Sequence, residues 1–381
     1  MKKVMFCIGT RPEAIKVAPV IRKFISDKYF KTIVCLTGQH KEMLTDVLDT
    51  FKIDYDFNLD VMMHDQTLLG TTSLIMCELD KIIKKVNPDL IFVHGDTNTT
   101  FSSSLIAFYN NVKVAHIEAG LRTYDTYNPW PEETFRQLTA RIATIHFPPT
   151  KSAHKNLVNE KINFSNILVT GNTVIDALKL CIEIIDSDYK LKDEIFSFFN
   201  NYKIDLNECK KKIILITGHR RENRGDGITN LCEAIKELAE KHSDFTFIFP
   251  VHLSPHVKDV VYDYFDNDIS KNIFLIPPLN YTKFVYLMSI SKLIITDSGG
   301  IQEEAPTFKV PVLVTRTTSE RLEAVDMGAV KLIGSKKERI VKEASILLNS
   351  KTEYEKMKIS KNPYGNGFAS EKIIDFVKLH I

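Results

Sequence analysis

The chain has no uninterrupted apolar run near the ~20 residues that span a bilayer, so no membrane partner is expected. Its opening stretch, Met1 to Ile8, turns polar at Gly9 and has no signal-peptide core, which predicts a cytoplasmic protein. An excess of either charge is also missing. Fifty Lys and Arg stand against 48 Asp and Glu, a formal charge of +2, so there is no broad basic footprint for nucleic acid. Cysteine is sparse. Cys7, Cys35, Cys77, Cys181, Cys209 and Cys232 include no CxxC pair or zinc-like spacing and read as reduced thiols. Walker A, GxSxG and HExxH motifs do not occur. Gly225-Asp226-Gly227 and Gly365-Asn366-Gly367 lack a correctly placed third glycine and do not follow a strand, which argues against a dinucleotide cofactor.

What remains is ordinary globular material, 381 residues with 44% apolar and 26% charged, enough for more than one core. Short apolar runs alternate with helix-length segments. The strands expected are Val4–Ile8, Thr32–Leu36, Leu90–Val93, Val112–Ile117, Ile167–Val169, Ile213–Ile216, Thr246–Phe249, Ile273–Ile276, Leu293–Ile295 and Val312–Val314. Helices are expected over Lys41–Phe51, Leu68–Val86, Ser102–Tyr109 and Gly227–Lys241. Strands apolar on both faces and alternating with helices indicate parallel sheets covered on both sides. The strands are too many for one comfortable sheet. A charged helical stretch, Asp186–Lys212, separates two βα runs, which predicts two doubly wound α/β domains with a cleft between them.

Polar clusters follow the strands: Gly9-Thr10-Arg11-Pro12-Glu13, Thr37-Gly38-Gln39-His40, His94-Gly95-Asp96-Thr97, Glu118-Ala119-Gly120-Leu121-Arg122, Thr217-Gly218-His219-Arg220-Arg221-Glu222, Asp297-Ser298-Gly299-Gly300 and Arg316-Thr317. The carboxyl ends of parallel strands face the ligand crevice, so one large polar site is expected there. In Asp297 to Ala305, a tight Gly turn leads into a helix, and free N–H groups at Ser298, Gly299 and Gly300 suit a phosphate. Glu304 stands one turn on, where a carboxylate accepts from ribose hydroxyls. With Arg11, Lys16, His219 and Arg321 supplying positive charge, the ensemble suggests a pyrophosphate group.

These residues resemble a known family. Gly9-Thr10-Arg11-Pro12-Glu13-Ala14-Ile15-Lys16, His94 to Thr97, His116 to Thr123, Trp130-Pro131-Glu132-Glu133, Thr217 to Glu222, Asp297 to Pro306 and Asn362 to Gly367 look like the motifs of the non-hydrolysing UDP-N-acetylglucosamine 2-epimerases, in order and along essentially the whole chain. The resemblance implies a glycosyltransferase-B fold of two Rossmann-like domains. Residues 1–170 with 366–381 would form the domain of the catalytic carboxylates, and 171–365 the UDP-binding domain. It implies reversible conversion of UDP-GlcNAc to UDP-ManNAc, without NAD or a metal. UDP would be eliminated to leave a 2-acetamidoglucal and then added back.

The resemblance assigns Asp96, Glu118 and Glu132 as carboxylates near C2 and His219 to the leaving pyrophosphate, with Arg11, Lys16 and Arg321. A structural alternative for Glu118 and Glu132 is a buried ion pair with Arg122 or Arg136. Ser298, Gly299 and Gly300 would hold the phosphates, Glu304 the ribose and Phe284 the uracil. Gln39 matches a second UDP-GlcNAc site of regulated relatives, although Glu42 and Asp65 replace a Gln and an Arg there. Where relatives commonly read Arg-Asp-Thr-Thr-Glu-Arg-Pro-Glu, this chain reads Arg316-Thr317-Thr318-Ser319-Glu320-Arg321-Leu322-Glu323, and a glycine usual before the next strand is replaced around Lys309. A homodimer supplying ManNAc units for surface polysaccharide is the family expectation. The competing readings are a hydrolysing epimerase releasing UDP and free ManNAc, whose members lack the Gly9–Lys16 start, a glycosyltransferase of the same fold, and a nucleotide-sugar sensor without turnover.

Overall fold

The computed structural model describes residues 1–38, 41–61, 66–219, 226–266, 269–319 and 321–381, with 41–43 in backbone only. The chain divides into two compact units, Met1–Leu180 with Tyr364–Ile381, and Cys181–Pro363. In the first, β1 (Lys2–Ile8), β2 (Phe30–Leu36), β3 (Phe57–Asn58), β4 (Leu90–His94), β5 (Lys113–Ile117) and β6 (Ile145–Phe147) form a parallel sheet in the order β3-β2-β1-β4-β5-β6. In the second, β7 (Ile213–Thr217), β8 (Thr246–Pro250), β9 (Ile273–Ile276), β10 (Leu293–Thr296), β11 (Val312–Val314) and β12 (Val330–Leu332) follow the order β12-β11-β10-β7-β8-β9, again parallel. Renumbered within its own unit, the second sheet repeats the first. Both are doubly wound, and the direction of winding reverses between β1 and β4 and between β7 and β10.

The central strands read as apolar runs because both faces are covered. Val4 through Ile8 and Ile213 through Ile216 are all buried. Phe6 stacks on Phe92 at 4.4 Å, and Phe24 of the helix Arg11–Ser26 meets both edge-on at 5.5 and 5.1 Å. The last helix, Ala369–His380, packs on the same unit through Phe376 against Phe147 at 5.8 Å, and through the ion pairs Lys23–Glu371 and Lys378–Asp27. In the second unit, Phe247, Phe249, Ile295 and Leu313 pack against Leu231, Ile235 and Leu238 of the helix Asp226–Lys241. No described helix is long and apolar enough to cross a membrane.

Three strands escaped the sequence pattern. β3, β6 and β12 have two or three residues each and, unlike the all-apolar Val312–Val314, include a polar residue, so neither a period nor an apolar run marks them. The expected strand Ile167–Val169 is not one. Ile167 makes a single bridge to His146, and Leu168 and Thr170 donate to the carbonyls of His146 and Pro148 at 3.0 and 3.2 Å. A ladder cannot continue there because Pro148 and Pro149 follow β6 and have no N–H to return.

Candidate active site

At the reversal point of the first unit, the turn after β1 is fixed by a carboxylate. Thr10 caps the helix Arg11–Ser26, and Glu13 reaches back to accept from the Gly9 and Thr10 amides at 3.0 and 2.6 Å. Its other oxygen accepts from Thr97 Oγ1 at 2.6 Å, just beyond β4, so Glu13 ties the ends of β1 and β4 together. Burial pushes this carboxyl up, against the hydrogen bonds from Thr97 and Thr10. Gly9 sits so close to its neighbours that a Cβ there would lie 2.0 Å from Thr99 Oγ1.

Asp96 follows β4, and Glu118 follows β5 on a backbone with φ of +63°. A left-handed non-glycine residue is uncommon and costs about 1–3 kcal/mol, so its surroundings must hold it. Its amide donates to Phe147 O at 3.1 Å. Its Oε2 accepts from Lys16 Nζ at 2.5 Å and from Asn172 Nδ2 at 3.0 Å, and lies 3.9 Å from His94 Nε2. Lys16 is the last residue of the Gly9–Lys16 motif, one turn inside the first helix. Asp96 Oδ2 takes Arg136 Nε and Nη2 at 2.8 and 2.6 Å. Neighbouring Glu133 is fully buried and accepts from Arg136 Nη1, Gln137 Nε2 and the amides of Thr123 and Tyr124 at 3.2, 2.9, 3.0 and 3.2 Å. Burial alone would raise its carboxyl, yet these donors hold it below the usual range. Glu132, the first residue of the helix Glu132–Ile142, has a buried Oε2 with no hydrogen-bond partner among the described residues.

The alternative pairings suggested by the sequence are corrected. Arg122 is held bidentately by Glu160 at 2.6 and 3.0 Å, and Arg136 by Asp96 and Glu133, so neither arginine pairs with Glu118 or Glu132. The sequence set Lys16 among the pyrophosphate cations, whereas its ammonium pairs with Glu118, and it did not mark Asn172 as a neighbour of that carboxylate. Asn172 stands in no motif, and no spacing marks it. His94 was visible only as part of its motif. Burial pushes His94 down to about 4 against the pull of Glu118, so it is neutral near pH 7. His116 on β5, which holds Gly95 O at 2.7 Å, is pushed down to about 3, and His146 on β6 to about 4, both by burial.

In the second unit the reversal point joins His219, after β7, to Asp297, after β10. The His219 amide donates to both Asp297 oxygens at 3.2 and 2.9 Å, and its Nδ1 lies 3.3 Å from Oδ1. Asp297 is fully buried while the His219 ring is 40% exposed, stacked on His252 at 5.5 Å. A carboxylate beside Nδ1 orients the imidazole ring. Ser298 N donates to Thr296 Oγ1 at 2.9 Å and precedes the short helix Gly299–Glu304. Glu304 is half-buried on that helix, and Phe284 is half-buried on the helix Tyr281–Ile290. Arg321 Nε pairs with buried Glu303 at 3.0 Å, and its amide donates to Ser319, which bonds Gln302 at 2.7 Å. Arg11 is half-buried at the first helical position, with no hydrogen-bond partner among the described residues. Gln39 and Asp65 lie outside the described residues, as do Arg220, Arg221 and Glu222, and the Glu42 side chain is not described. Among the described residues, no group of His, Cys, Asp and Glu is arranged to hold a metal.

Each unit therefore presents ionisable groups at the carboxyl ends of its central strands. A model of the UDP-N-acetylglucosamine 2-epimerase family matches residues 22–378. A UDP-N-acetylglucosamine 2-epimerase of Campylobacter jejuni is 47% identical over 378 residues, which is 99% of this chain and 97% of that protein. The crystal structure of the Neisseria meningitidis UDP-GlcNAc 2-epimerase bound to UDP-GlcNAc is similar with a TM-score of 0.89 at 46% identity, over 99% of this chain and 100% of that one. The Methanocaldococcus jannaschii enzyme in complex with UDP-GlcNAc and UDP is similar at a TM-score of 0.79 and 33% identity, over 99% of both chains. Two parallel six-stranded units matching these structures make the fold glycosyltransferase-B-like. The family model and the full-length relatives together show that this chain belongs to the UDP-N-acetylglucosamine 2-epimerase family.

Proposed function

We propose that the protein interconverts UDP-GlcNAc and UDP-ManNAc without hydrolysis, by reversible elimination of UDP. The C2 hydrogen is not next to a carbonyl, so removing it alone is very hard. Elimination avoids that difficulty. A carboxylate takes the C2 proton as the C1–O bond breaks, and the electron pair of the C–H bond becomes the C1=C2 bond of 2-acetamidoglucal. The C1–O pair leaves with the β-phosphate. Re-addition of UDP with protonation from the other face of C2 gives the epimer.

The observation that carries this reading is the Lys16–Glu118 pair. The Gly9–Lys16 start, which hydrolysing relatives lack, delivers its terminal ammonium to a carboxylate at the end of β5. Glu118 on Lys16 and Asp96 on Arg136 give two carboxylates with different cationic partners, suited to separate base and acid roles. Glu132, with one buried oxygen unpartnered among the described residues, is the third candidate. A positioned base contributes about 10²–10⁴-fold. His219, held at Nδ1 by Asp297, would stabilise or protonate the leaving phosphate. Arg11 and Arg321 add charge for the pyrophosphate, Ser298, Gly299 and Gly300 its amide donors, Glu304 a ribose acceptor and Phe284 a face for uracil. The relatives crystallised with UDP-GlcNAc and UDP support that ligand class. That the enzyme works as a cytoplasmic homodimer feeding ManNAc to surface polysaccharide rests on family likeness.

Incubation with UDP-GlcNAc in D₂O, followed by NMR, tests the reading. UDP-ManNAc carrying deuterium at C2, in a steady mixture with substrate, is the expected result. Free ManNAc with UDP would instead establish the hydrolysing reaction, and bound but unchanged UDP-GlcNAc would overturn turnover altogether.

A further inference from the structure

We propose that Asn172 is a positioning residue for Glu118, through which the C-terminal segment at Tyr364 and Gly365 sets the carboxylate. The inference rests on the epimerase reading for the role of Glu118 and on the geometry below for everything else. Asn172 is 3% exposed, and each of its polar groups has a fixed task. Its Oδ1 accepts from Val174 N at 3.0 Å, opening the helix Thr173–Ser187. An amide N–H can only donate, so the oxygen must face Val174 and the NH₂ must face Glu118. Nδ2 accordingly donates to Glu118 Oε2 at 3.0 Å.

The backbone is fixed from the other side. Asn172 N donates to Tyr364 O at 2.6 Å. Gly171, at φ of +92°, lies so close that a Cβ there would be 3.1 Å from Tyr364 O and 3.2 Å from Gly365 Cα. Residues 171–172 and 364–365 are thus packed backbone on backbone. The Asn362–Gly367 motif, far from any catalytic side chain in sequence, thereby acts on Glu118 through one amide.

Lys16 and Asn172 do different things to the carboxylate. Lys16 supplies charge from a flexible stem. Asn172 supplies a neutral, rigid donor that favours the ionised form and fixes its direction. Among the described residues, the charged or titratable groups around Glu118 include His94 at the end of β4, Asp96 beyond it with Arg136, and His116 on the neighbouring stretch of β5. None of these groups is itself altered by a substitution at residue 172.

Asn172→Asp separates the two roles of the amide. The aspartate still accepts from Val174 N, so the helix start is kept, but a second carboxylate now faces Glu118. Two neighbouring carboxylates titrate as a pair with one proton held more tightly. The pH profile of C2 deuterium exchange in D₂O is the readout. The limb belonging to Glu118 moves up by ~1 pH unit or more in Asn172→Asp. It is the acid limb if Glu118 is the base and the alkaline limb if it is the acid. Asn172→Ala, which loses the donor without adding charge, moves the same limb up by a smaller step and slows exchange at pH 7 by ~10-fold. Wild-type limb positions in both variants, with melting temperatures unchanged, would overturn the proposal. So would a lowered melting temperature with the limb unmoved, since that is the signature of a purely structural residue. The wild-type protein is run alongside. If it does not exchange C2, the epimerase reading fails, and that failure is visible without either variant.

Discussion

Glu118 combines an unfavourable backbone with a crowded carboxylate, and at the residue scale that combination makes it the most informative position. A left-handed φ on a glutamate persists only because the Phe147 carbonyl, Lys16, Asn172 and the adjoining Gly95 turn hold it. Glu118→Gln and Asp96→Asn keep shape and remove charge. Each is expected to slow C2 deuterium exchange by ~10²–10⁴-fold while leaving UDP affinity, measured by calorimetry, within about threefold. Near-normal exchange in either variant would remove that residue from the chemistry. Gly9 is a second sensitive position for a purely steric reason. A Cβ would meet Thr99 Oγ1 at 2.0 Å and Thr37 Oγ1 at 2.8 Å, two buried hydroxyls already bonded to one another. Gly9→Ala is expected to cost ~1–3 kcal/mol, read from the denaturant midpoint, by forcing the β1 turn away from β4. A midpoint equal to wild type would mean the two threonines yield.

At the scale of elements, two local features carry predictions. Lys309 ends the short turn Ala305–Phe308 with a φ of +56°, a backbone that favours glycine. The side chain pays the left-handed penalty that glycine avoids, so Lys309→Gly should stabilise the protein by ~0.5–1 kcal/mol net of the added chain entropy. Urea titration checks this, and a loss of stability would show that Lys309 makes a compensating contact. Glu133 does for the 123–124 turn what Glu13 does for β1. It accepts the amides of Thr123 and Tyr124 and braces Arg136, which in turn holds Asp96. Glu133→Ala should therefore raise hydrogen exchange at the Thr123 and Tyr124 amides and lower activity together. Protected amides in an inactive variant would break that link.

At the scale of the whole molecule, buried histidines make stability depend on pH, and three of them are shifted furthest. His94, His116 and His146 are 3%, 1% and 1% exposed, and burial holds them at about 4, 3 and 4, below the unfolded value of 6.5. Between 6.5 and those values the unfolded chain binds protons that the folded chain does not. Stability therefore falls as pH falls through that window, by ~1.4 kcal/mol per unit for each group. The melting temperature is expected to be flat above about pH 7 and to drop steeply from about pH 6 to 4. His146→Asn, on the edge strand β6, should flatten part of that drop. A melting temperature constant down to pH 4 would mean the three rings take protons inside the fold.

Much of the fold is legible in the sequence. Runs such as Val4–Ile8 and Ile213–Ile216 are apolar throughout, which only a covered parallel sheet explains, and the polar clusters at their ends located both sets of candidate groups. Those signals are local, written into a few consecutive residues, and so survive in a linear reading. Short strands such as Ile145–Phe147 carry too few residues for a period, and the failure of Ile167–Val169 as a strand lay in Pro148 and Pro149, on the partner rather than in the run itself. What only the tertiary structure decided is which charge meets which. Lys16 finds Glu118 across 102 residues and Arg136 finds Asp96 across 40, while Arg122 turns to Glu160 instead of the nearer Glu118. Asn172 meets Glu118 where Gly171 and Gly365, far apart in the chain, bring two backbones into contact. Side-chain chemistry specifies what a residue is able to bind. Its partner is chosen by strand order and turn geometry, which no local pattern encodes.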